Sequence, residues 1–270
     1  MTRAAARWRQ CDGAPPRAGG CATGARMGPG VQGSEEQTMI EQVHISTAAA
    51  MAGVANACVA RISGVTVFQS RHYERHLLGA LQQIVDDKEF MQRPEITGYQ
   101  QQLGMLGFAG TRPANERLIH HFMSNGPSLI NNVVDSYNVA SLLFGASIGG
   151  HVADGLDGCL EIDIASGGET ITPLFSRKAR RVAPGSLVYS SGGRLLAAIG
   201  GVDTDADPFK IDESARDVIL VVLGHQHTSY RYNYNVARRA ADLLTETNPG
   251  SVFSVLPTII NRQRQELDAA

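Results

Sequence analysis

The 270-residue sequence lacks the cysteine pattern of a disulfide-rich or zinc-binding protein. It has four cysteines and no CxxC pair, and the four lie at Cys11, Cys21, Cys58 and Cys159. Small disulfide scaffolds and zinc ribbons need cysteines that are paired at short, regular spacings. We therefore expect neither kind of fold. Free thiols are compatible with a cytoplasmic location, which is the one we predict.

Long apolar runs are also missing. Crossing a bilayer takes about 20 consecutive apolar residues, and the nearest candidate, residues 47–60, is interrupted by Gly53 and Asn56. This alanine-rich stretch predicts a short buried helix that leads into a strand. With 43% hydrophobic and 19% charged residues, the composition is that of an ordinary globular protein. We expect no membrane partner.

The common nucleotide-binding and hydrolase motifs are absent. The sequence has no GxGxxG after a predicted strand, no Walker-type phosphate-binding loop and no GxSxG elbow. Two histidine pairs, His120 with His121 and His225 with His227, are the nearest approach to metal ligands. Adjacent residues of a helix point in different directions, and the second pair has no carboxylate at a suitable spacing. We expect no metal and no cofactor.

Positive charge is scarce outside the first 38 residues. The net charge is −2, and the first 38 residues contribute +2 through five arginines against three acidic residues, which leaves −4 for the rest. Their Gly- and Pro-rich composition predicts a disordered extension, or a start codon assigned upstream of a true start at Met39. A transit peptide or an RNA-binding arm is the alternative.

A nucleic-acid-binding surface would therefore need a local patch of basic residues. Two clusters are candidates for RNA binding: Arg177, Lys178, Arg180 and Arg181 in the first, and Arg238 and Arg239 in the second. Charge clusters of this size are also common on solvated protein surfaces that bind nothing. Both interpretations stay open at this point.

Helical periodicity dominates the first half of the sequence, and strand periodicity dominates the second half. Helices are predicted over residues 71–87, 94–106, 116–123 and 234–246. Strands are predicted over residues 58–68, 148–152, 159–164, 187–190, 194–199 and 217–223. This order predicts an α+β fold, with N-terminal helices packed on a mainly antiparallel sheet. We assign that domain to residues 39–250 and predict a short helix for the tail, residues 251–270.

One further predicted helix, residues 128–144, carries an unusual polar stripe. Ser128 is the expected N-cap, and Asn131, Asp135 and Asn138 recur at a spacing that places them on one face. Short polar side chains on an otherwise apolar helix need hydrogen-bonding partners. The stripe therefore predicts either a fastened loop or the lining of a pocket.

A glycine pair and an acidic segment follow one of the predicted strands. Gly200 and Gly201 permit a close backbone approach and precede the acidic residues between 203 and 207. This segment lacks the glycine and the terminal glutamate of a calcium loop. It is instead a candidate for the rim of a pocket, where His151 and Asp154 at the end of another strand could converge.

The polar helix resembles a motif of a known family. The B3/B4 domain, which is the tRNA-editing domain of bacterial phenylalanyl-tRNA synthetase β-subunits, carries a helix reading Asn-x-Val-Val-Asp-x-x-Asn. The segment from Asn131 to Asn138 matches it, and blocks similar to the family follow in the same order at residues 148–154 and 187–189. The resemblance covers about residues 60–247 and implies a free-standing homologue of the editing domain.

The resemblance implies that the chain hydrolyses an aminoacyl ester on tRNA with water as nucleophile, so aminoacyl-tRNA or tRNA is the expected partner. An ester is already activated, so a positioned water and oxyanion donors can suffice. The implied catalytic residues are His151 and Asp203. The implied substrate-binding residues are Asn131, Asp135, Tyr137, Asn138, Asp154, Gly200 and Gly201.

The sequence also departs from the family pattern. Tyr137 stands where the family has a pocket threonine, and His151 matches the pocket histidine only if the preceding loop is two residues longer. The pocket glutamate falls near Phe209 or Lys210, which leaves Asp203, Asp205 or Asp207 to replace it. Three functions stay open: a trans-acting deacylase, an RNA-binding module without catalysis, and an amino-acid-binding protein that uses no RNA.

Overall fold

The computed structural model describes residues 39–156, 158–201 and 203–260. The predictions for residues 1–38 and 261–270 lie outside this part of the chain. The described helices are α1 (Thr47–Met51), α2 (Glu74–Asp86), α3 (Pro94–Met105), α4 (Ala114–Asn125), α5 (Asn132–Phe144) and α6 (Tyr230–Thr245). The described strands are β1 (Ile40–Ile45), β2 (Ala57–Ser63), β3 (Ile148–Val152), β4 (Gly158–Ile164), β5 (Thr170–Ile171), β6 (Arg180–Arg181), β7 (Leu187–Ser191), β8 (Arg194–Ile199), β9 (Thr204–Asp205), β10 (Asp217–Leu223), β11 (Val252–Val255) and β12 (Thr258–Ile260).

Two main sheets organise these strands. The six-stranded sheet has the order β12-β1-β4-β7-β8-β9, and the four-stranded sheet has the order β11-β2-β10-β3. β1 is parallel to both of its neighbours, and the other strand pairs are antiparallel. The predicted α+β class with mainly antiparallel pairing is confirmed. Ten of the twelve described strands are, however, divided between two main sheets where we expected one, and β5 and β6 form a separate two-stranded sheet.

The four-stranded sheet lies between the helices and the six-stranded sheet. In its central strand β10, Val218, Leu220 and Val222 pack with α2, α5 and α6. Ile219 and Val221, on the opposite face of the strand, pack with the core of the six-stranded sheet. Burial on both faces explains why this strand is a continuous apolar run and does not alternate with polar residues.

The N-cap of α5 is Asn131 and not Ser128, which corrects the sequence prediction. The Asn131 side chain accepts hydrogen bonds from the backbone N–H groups of Val133 and Val134, at 3.1 and 2.9 Å. These two bonds satisfy donors that have no partner within the first helical turn. The Asn131 amide also donates to the carbonyl of Ile211 at 3.2 Å, so a tertiary contact fixes the start of the helix.

Asn132, the first residue of α5, ties the helix to the segment that follows β2. Its Oδ1 accepts from the N–H of Phe68 at 2.9 Å, and its Nδ2 donates to the carbonyl of Thr66 at 3.0 Å. The backbone N–H of Asn132 donates to the carbonyl of Phe68 at 3.0 Å. The whole residue is buried. The segment held in this way includes Val67 and Phe68, which line the cleft described below.

The described part of the C-terminal tail forms strands, so the predicted helix is wrong for residues 251–260. β11 pairs with β2, and β12 pairs with β1. Val252, Phe253 and Val255 are β-branched or aromatic, as are all three residues of β12, and such residues favour strands. The two main sheets each take up one of these strands at an edge. The domain therefore extends at least to Ile260.

Candidate functional site

Two clefts meet where the edges of the two main sheets approach each other. β9 is the outer strand of the six-stranded sheet, and β3 is the outer strand of the four-stranded sheet. Nε2 of His151 on β3 lies 3.9 Å from Oδ1 of Asp205 on β9. The larger cleft has a volume of about 550 Å³ and the smaller about 250 Å³, and Leu174 and Asp205 line both. Asp205 therefore stands at the junction of the two clefts.

The larger cleft is bounded by six parts of the chain. They are the start of α5, the residues after β2, Gly150 on β3, the connection between β5 and β6, Asp205 on β9, and the residues before β10. Its lining consists of Val67, Phe68, Gln69, Ile130, Asn131, Val134, Tyr137, Gly150, Leu174, Phe175, Asp205, Lys210, Ile211, Asp212, Glu213 and Ser214. A volume of this size suits a small ligand whose orientation is fixed by a few polar groups of the protein.

The smaller cleft contains an ion pair. Nη2 of Arg117 on α4 lies 2.8 Å from Oδ2 of Asp203, and the Asp203 side chain is only 8% exposed. Ser147, Tyr189 and Thr204 also line this cleft. Asp203 and Asp205 are two residues apart in an extended segment, so their side chains project on the same side of it. Both carboxylates consequently reach the smaller cleft.

Both carboxylates have strongly raised pKa values. Burial raises the pKa of Asp205 to about 7, against the opposing effect of the Arg117 charge. Burial also raises the pKa of Asp203 to about 6; Arg117 opposes this shift and the neighbouring Asp205 adds to it. A carboxylate with a pKa near neutrality can both take up and release a proton under physiological conditions. Strong perturbation of this kind is typical of functional sites.

His151, predicted as catalytic, is completely buried and lines neither cleft. Burial lowers its pKa to about 4, so the imidazole is neutral at neutral pH. Its ring stands edge-on to Tyr189, with the centroids 6.2 Å apart. Neither ring nitrogen has a hydrogen-bond partner among the described residues, although one of them must carry a proton. Of the two neighbouring residues His151 and Asp205, only Asp205 lines the clefts.

The residues of the predicted polar stripe do not share one role: some line the larger cleft, and one fastens a loop. Asn131 and Tyr137 line the larger cleft. Asp135 instead fastens the preceding loop, because its carboxylate accepts from the N–H of Ile130 at 3.0 and 3.3 Å. Burial raises the pKa of Asp135 to about 6, and this hydrogen bond opposes the shift. Asn138 is buried within the helix packing and lines neither cleft.

The other predicted substrate-binding residues lie away from both clefts. Asp154 is exposed, and its carboxylate accepts from the N–H of Arg216 at 3.2 Å. Gly200 and Gly201 pack on the ring of Phe108: a Cβ at Gly200 would lie 2.6 Å from that ring, and one at Gly201 would lie 3.3 Å from it. The close approach at Gly200 is thus to the Phe108 ring, and at Gly201 it is to that ring and to the Cβ of Ala183, which would lie 2.9 Å away.

Sequence reasoning missed the roles of Gly149 and Gly150 on β3. A Cβ at Gly150 would lie 2.6 Å from the Tyr137 ring, and one at Gly149 would lie 3.1 Å from Nε2 of His151. Glycine at position 150 allows the Tyr137 ring to approach the strand this closely, and a side chain at position 149 would crowd the imidazole of His151. Paired glycines inside a predicted strand are a recognised signal of close approach, and this signal was available in the sequence.

The two basic clusters differ in their surroundings. The first follows Phe175 in the chain, and its four residues are all exposed. In the second, Arg238 pairs with Asp242 at 2.8 Å and lies over the ring of Phe253, 5.3 Å from its centroid. Arg239 is exposed. Only the first cluster adjoins a segment that lines the larger cleft.

In residues 39–260, apart from Asp157 and Val202, no group of three or more His, Cys, Asp or Glu side chains is arranged to hold a metal ion. Over the same residues, no helix is both long and apolar enough to span a bilayer.

Comparisons with known proteins add a family and a similar structure. A family model described as the B3/4 domain matches residues 104–246. No curated protein matches the chain. Among solved structures, an N-terminal fragment of the phenylalanyl-tRNA synthetase β-subunit from Pyrococcus horikoshii is similar, with a TM-score of 0.46 and 9% sequence identity. The similarity covers 83% of this chain and 54% of that one, so this chain spans about half of that structure.

Proposed function

Because the chain belongs to the B3/4 domain family, we propose that it is a trans-acting deacylase that hydrolyses the ester between an amino acid and the 3′ end of a tRNA. One observation carries this proposal. Asp205, whose pKa is raised to about 7, stands where the two clefts meet, with the buried neutral imidazole of His151 beside it. The resemblance of α5 to the motif helix of the editing domain supports the choice of substrate.

The two clefts suit the two parts of an aminoacyl ester. The terminal nucleoside would occupy the larger cleft of about 550 Å³, and the amino acid would occupy the smaller cleft of about 250 Å³. The ester that joins them would then lie next to Asp205, which lines both. Asp203 in the smaller cleft offers a carboxylate to the α-ammonium group of the amino acid, which is a charge-assisted contact.

The proposed reaction needs one base and one water molecule. The Asp205 carboxylate takes a proton from water as the water oxygen attacks the ester carbonyl carbon. The bond between that carbon and the ribose oxygen then breaks, and the ribose oxygen receives the proton from Asp205. Free amino acid and uncharged tRNA are the products, and no cofactor is consumed. His151 lies below the cleft surface, so it acts as a positioning residue for Asp205.

An amino-acid-binding protein that uses no RNA is the second candidate. Asp212 and Glu213 line the larger cleft together with Asp205, and this acidic part of its wall repels phosphate groups. An amino acid alone would still fill the smaller cleft. A titration with uncharged tRNA separates the two candidates, because only the deacylase has to bind RNA.

Deacylation of a panel of mischarged aminoacyl-tRNAs by the purified chain tests the proposal. We expect accelerated release of the amino acid from one or a few members of the panel. Correctly charged tRNAs are expected to lose their amino acid at the rate measured without protein. The polar groups that line the smaller cleft should discriminate between the side chains of different amino acids. If no member is deacylated faster than in buffer, hydrolysis is excluded, and tRNA binding alone would then favour a non-catalytic RNA-binding module.

A further inference from the structure

Phe175 presents its ring to solvent at the edge of the larger cleft. Its exposed fraction is 86%, the largest among the exposed large hydrophobic residues of the described chain. Phe68 and Ile130, exposed by 39% and 51%, line the same cleft. Isolated exposed apolar side chains are common, but a group of them around one cleft marks a binding surface.

The backbone at Phe175 is strained and firmly held. Its φ of 60° is the only positive φ at a non-glycine residue in the described part of the chain, and bulky residues rarely adopt such a conformation. The N–H of Phe175 donates to Oδ1 of Asp207 at 2.8 Å. The N–H of Leu174 donates to the carbonyl of Asp205 at 3.0 Å, and the N–H of Asp207 donates to the carbonyl of Thr172 at 2.8 Å. These bonds hold the backbone that carries the exposed ring in place beside Asp205.

Four unpaired positive charges follow this ring in the chain. They belong to the first basic cluster, and within the described residues none of the four forms an ion pair with an acidic side chain. Arg238 of the second cluster, by contrast, is already paired with Asp242. Unpaired exposed cations are free to contact phosphate groups, and arginine does so with favourable geometry.

We infer that Phe175 is a stacking platform for the unpaired base at the 3′ end of an RNA. The first basic cluster holds the phosphates behind that base. An exposed aromatic ring next to a basic track is the arrangement by which proteins bind single-stranded nucleic acid without reading its sequence. This inference rests on the proposed function, because it directs the 3′ end to the larger cleft and so brings its ester to Asp205.

Binding of uncharged tRNA to the full chain tests the inference, with an intact tRNA and one that lacks its 3′-terminal adenosine. We expect Phe175→Ala to raise the Kd for intact tRNA by about ten-fold, the usual effect of removing one stacking aromatic. Phe175→Trp should restore binding. Met51→Ala, which removes another exposed apolar side chain (77% exposed) from helix α1, outside the lining of both clefts, is the matched control and should leave the Kd unchanged.

Two further readouts separate stacking from charge. Removing the terminal adenosine should weaken wild-type binding by about as much as Phe175→Ala does, and the variant should not distinguish the two tRNAs. Phe175→Ala should leave the salt dependence of Kd unchanged, whereas Arg180→Ala should reduce its logarithmic slope by about 1.

Equal Kd values for wild type and Phe175→Ala, with both tRNAs, would overturn the stacking inference while leaving deacylation possible. Failure of the wild type to bind any tRNA would remove the inference and the proposed substrate together. A Phe175-dependent Kd in a chain that deacylates nothing would support the stacking platform and remove only the proposed hydrolysis.

Discussion

Replacing Asp205 with asparagine is expected to lower the catalysed rate of aminoacyl-tRNA deacylation by about 10²- to 10⁴-fold, the usual contribution of a general base. Asparagine has nearly the same shape but cannot take up a proton at neutral pH. The loss should appear in the rate constant for amino-acid release under single-turnover conditions, while the Kd for uncharged tRNA stays the same. Rapid-quench measurement of amino-acid release gives the rate.

Two matched variants define what this loss means. Asp154→Asn makes the same chemical change at an exposed carboxylate outside both clefts and should leave the rate unchanged. His151→Gln should lower kcat by less than Asp205→Asn, with KM unaffected, because the imidazole acts through Asp205. A large loss with Asp154→Asn, or full activity in Asp205→Asn, would contradict the assignment of the base.

Replacing Asn132 with alanine is expected to lower the free energy of unfolding by about 1–3 kcal/mol, because two hydrogen bonds from its side chain to the backbone are lost. The N–H of Phe68 and the carbonyl of Thr66 would both lose the partner that the buried Asn132 side chain provides in these partly buried bonds. Since these residues belong to the segment that forms one wall of the larger cleft, the Kd for tRNA should rise as well. Equilibrium unfolding in denaturant measures the free energy.

Asn125→Ala is the control for this second prediction. Asn125 ends α4 in an exposed position, and its Nδ2 donates to the carbonyl of His121 at 3.0 Å and lies 3.3 Å from Nδ1 of the same residue. Its removal should change the free energy of unfolding by less than about 0.5 kcal/mol, as for most surface substitutions. Similar destabilisation in the two variants would show that the buried hydrogen bonds of Asn132 contribute nothing beyond those of an exposed amide.

Much of the fold was predictable because it depends on local patterns. The continuous apolar run of β10 and Gly145, which ends α5 in a left-handed backbone conformation, each determine their element within a few residues. β1 was missed because the sequence of its six residues, IEQVHI, has two polar residues in the middle and a burial pattern that does not alternate. The tail was misassigned because its strands depend on distant partners, β2 and β1, at the edges of two sheets.

The candidate site was predictable in location but not in detail. The strand that carries His151 does approach the acidic segment, with Nε2 of His151 3.9 Å from Oδ1 of Asp205, whereas Asp154, expected at the same place, lies outside both clefts. Sequence could not distinguish Asp203 from Asp205, because what separates them depends on residues distant in sequence: Arg117 pairs with the first, and His151 lies beside the second. It also could not reveal that His151 is fully buried. Phe175 escaped notice because it stands in a short connection without periodicity.

The pH dependence of kcat/KM for deacylation, corrected for the rate without protein, tests whether Asp205 is the general base. Asp205 must be ionised to act as a base, and burial raises its pKa to about 7. We therefore predict that kcat/KM rises with pH to a plateau with a midpoint near that value, since this parameter reports the pKa of the free enzyme. A midpoint near the ordinary range of an aspartate, about 4, or the same profile in Asp205→Asn, would contradict Asp205 as the base at the junction of the two clefts.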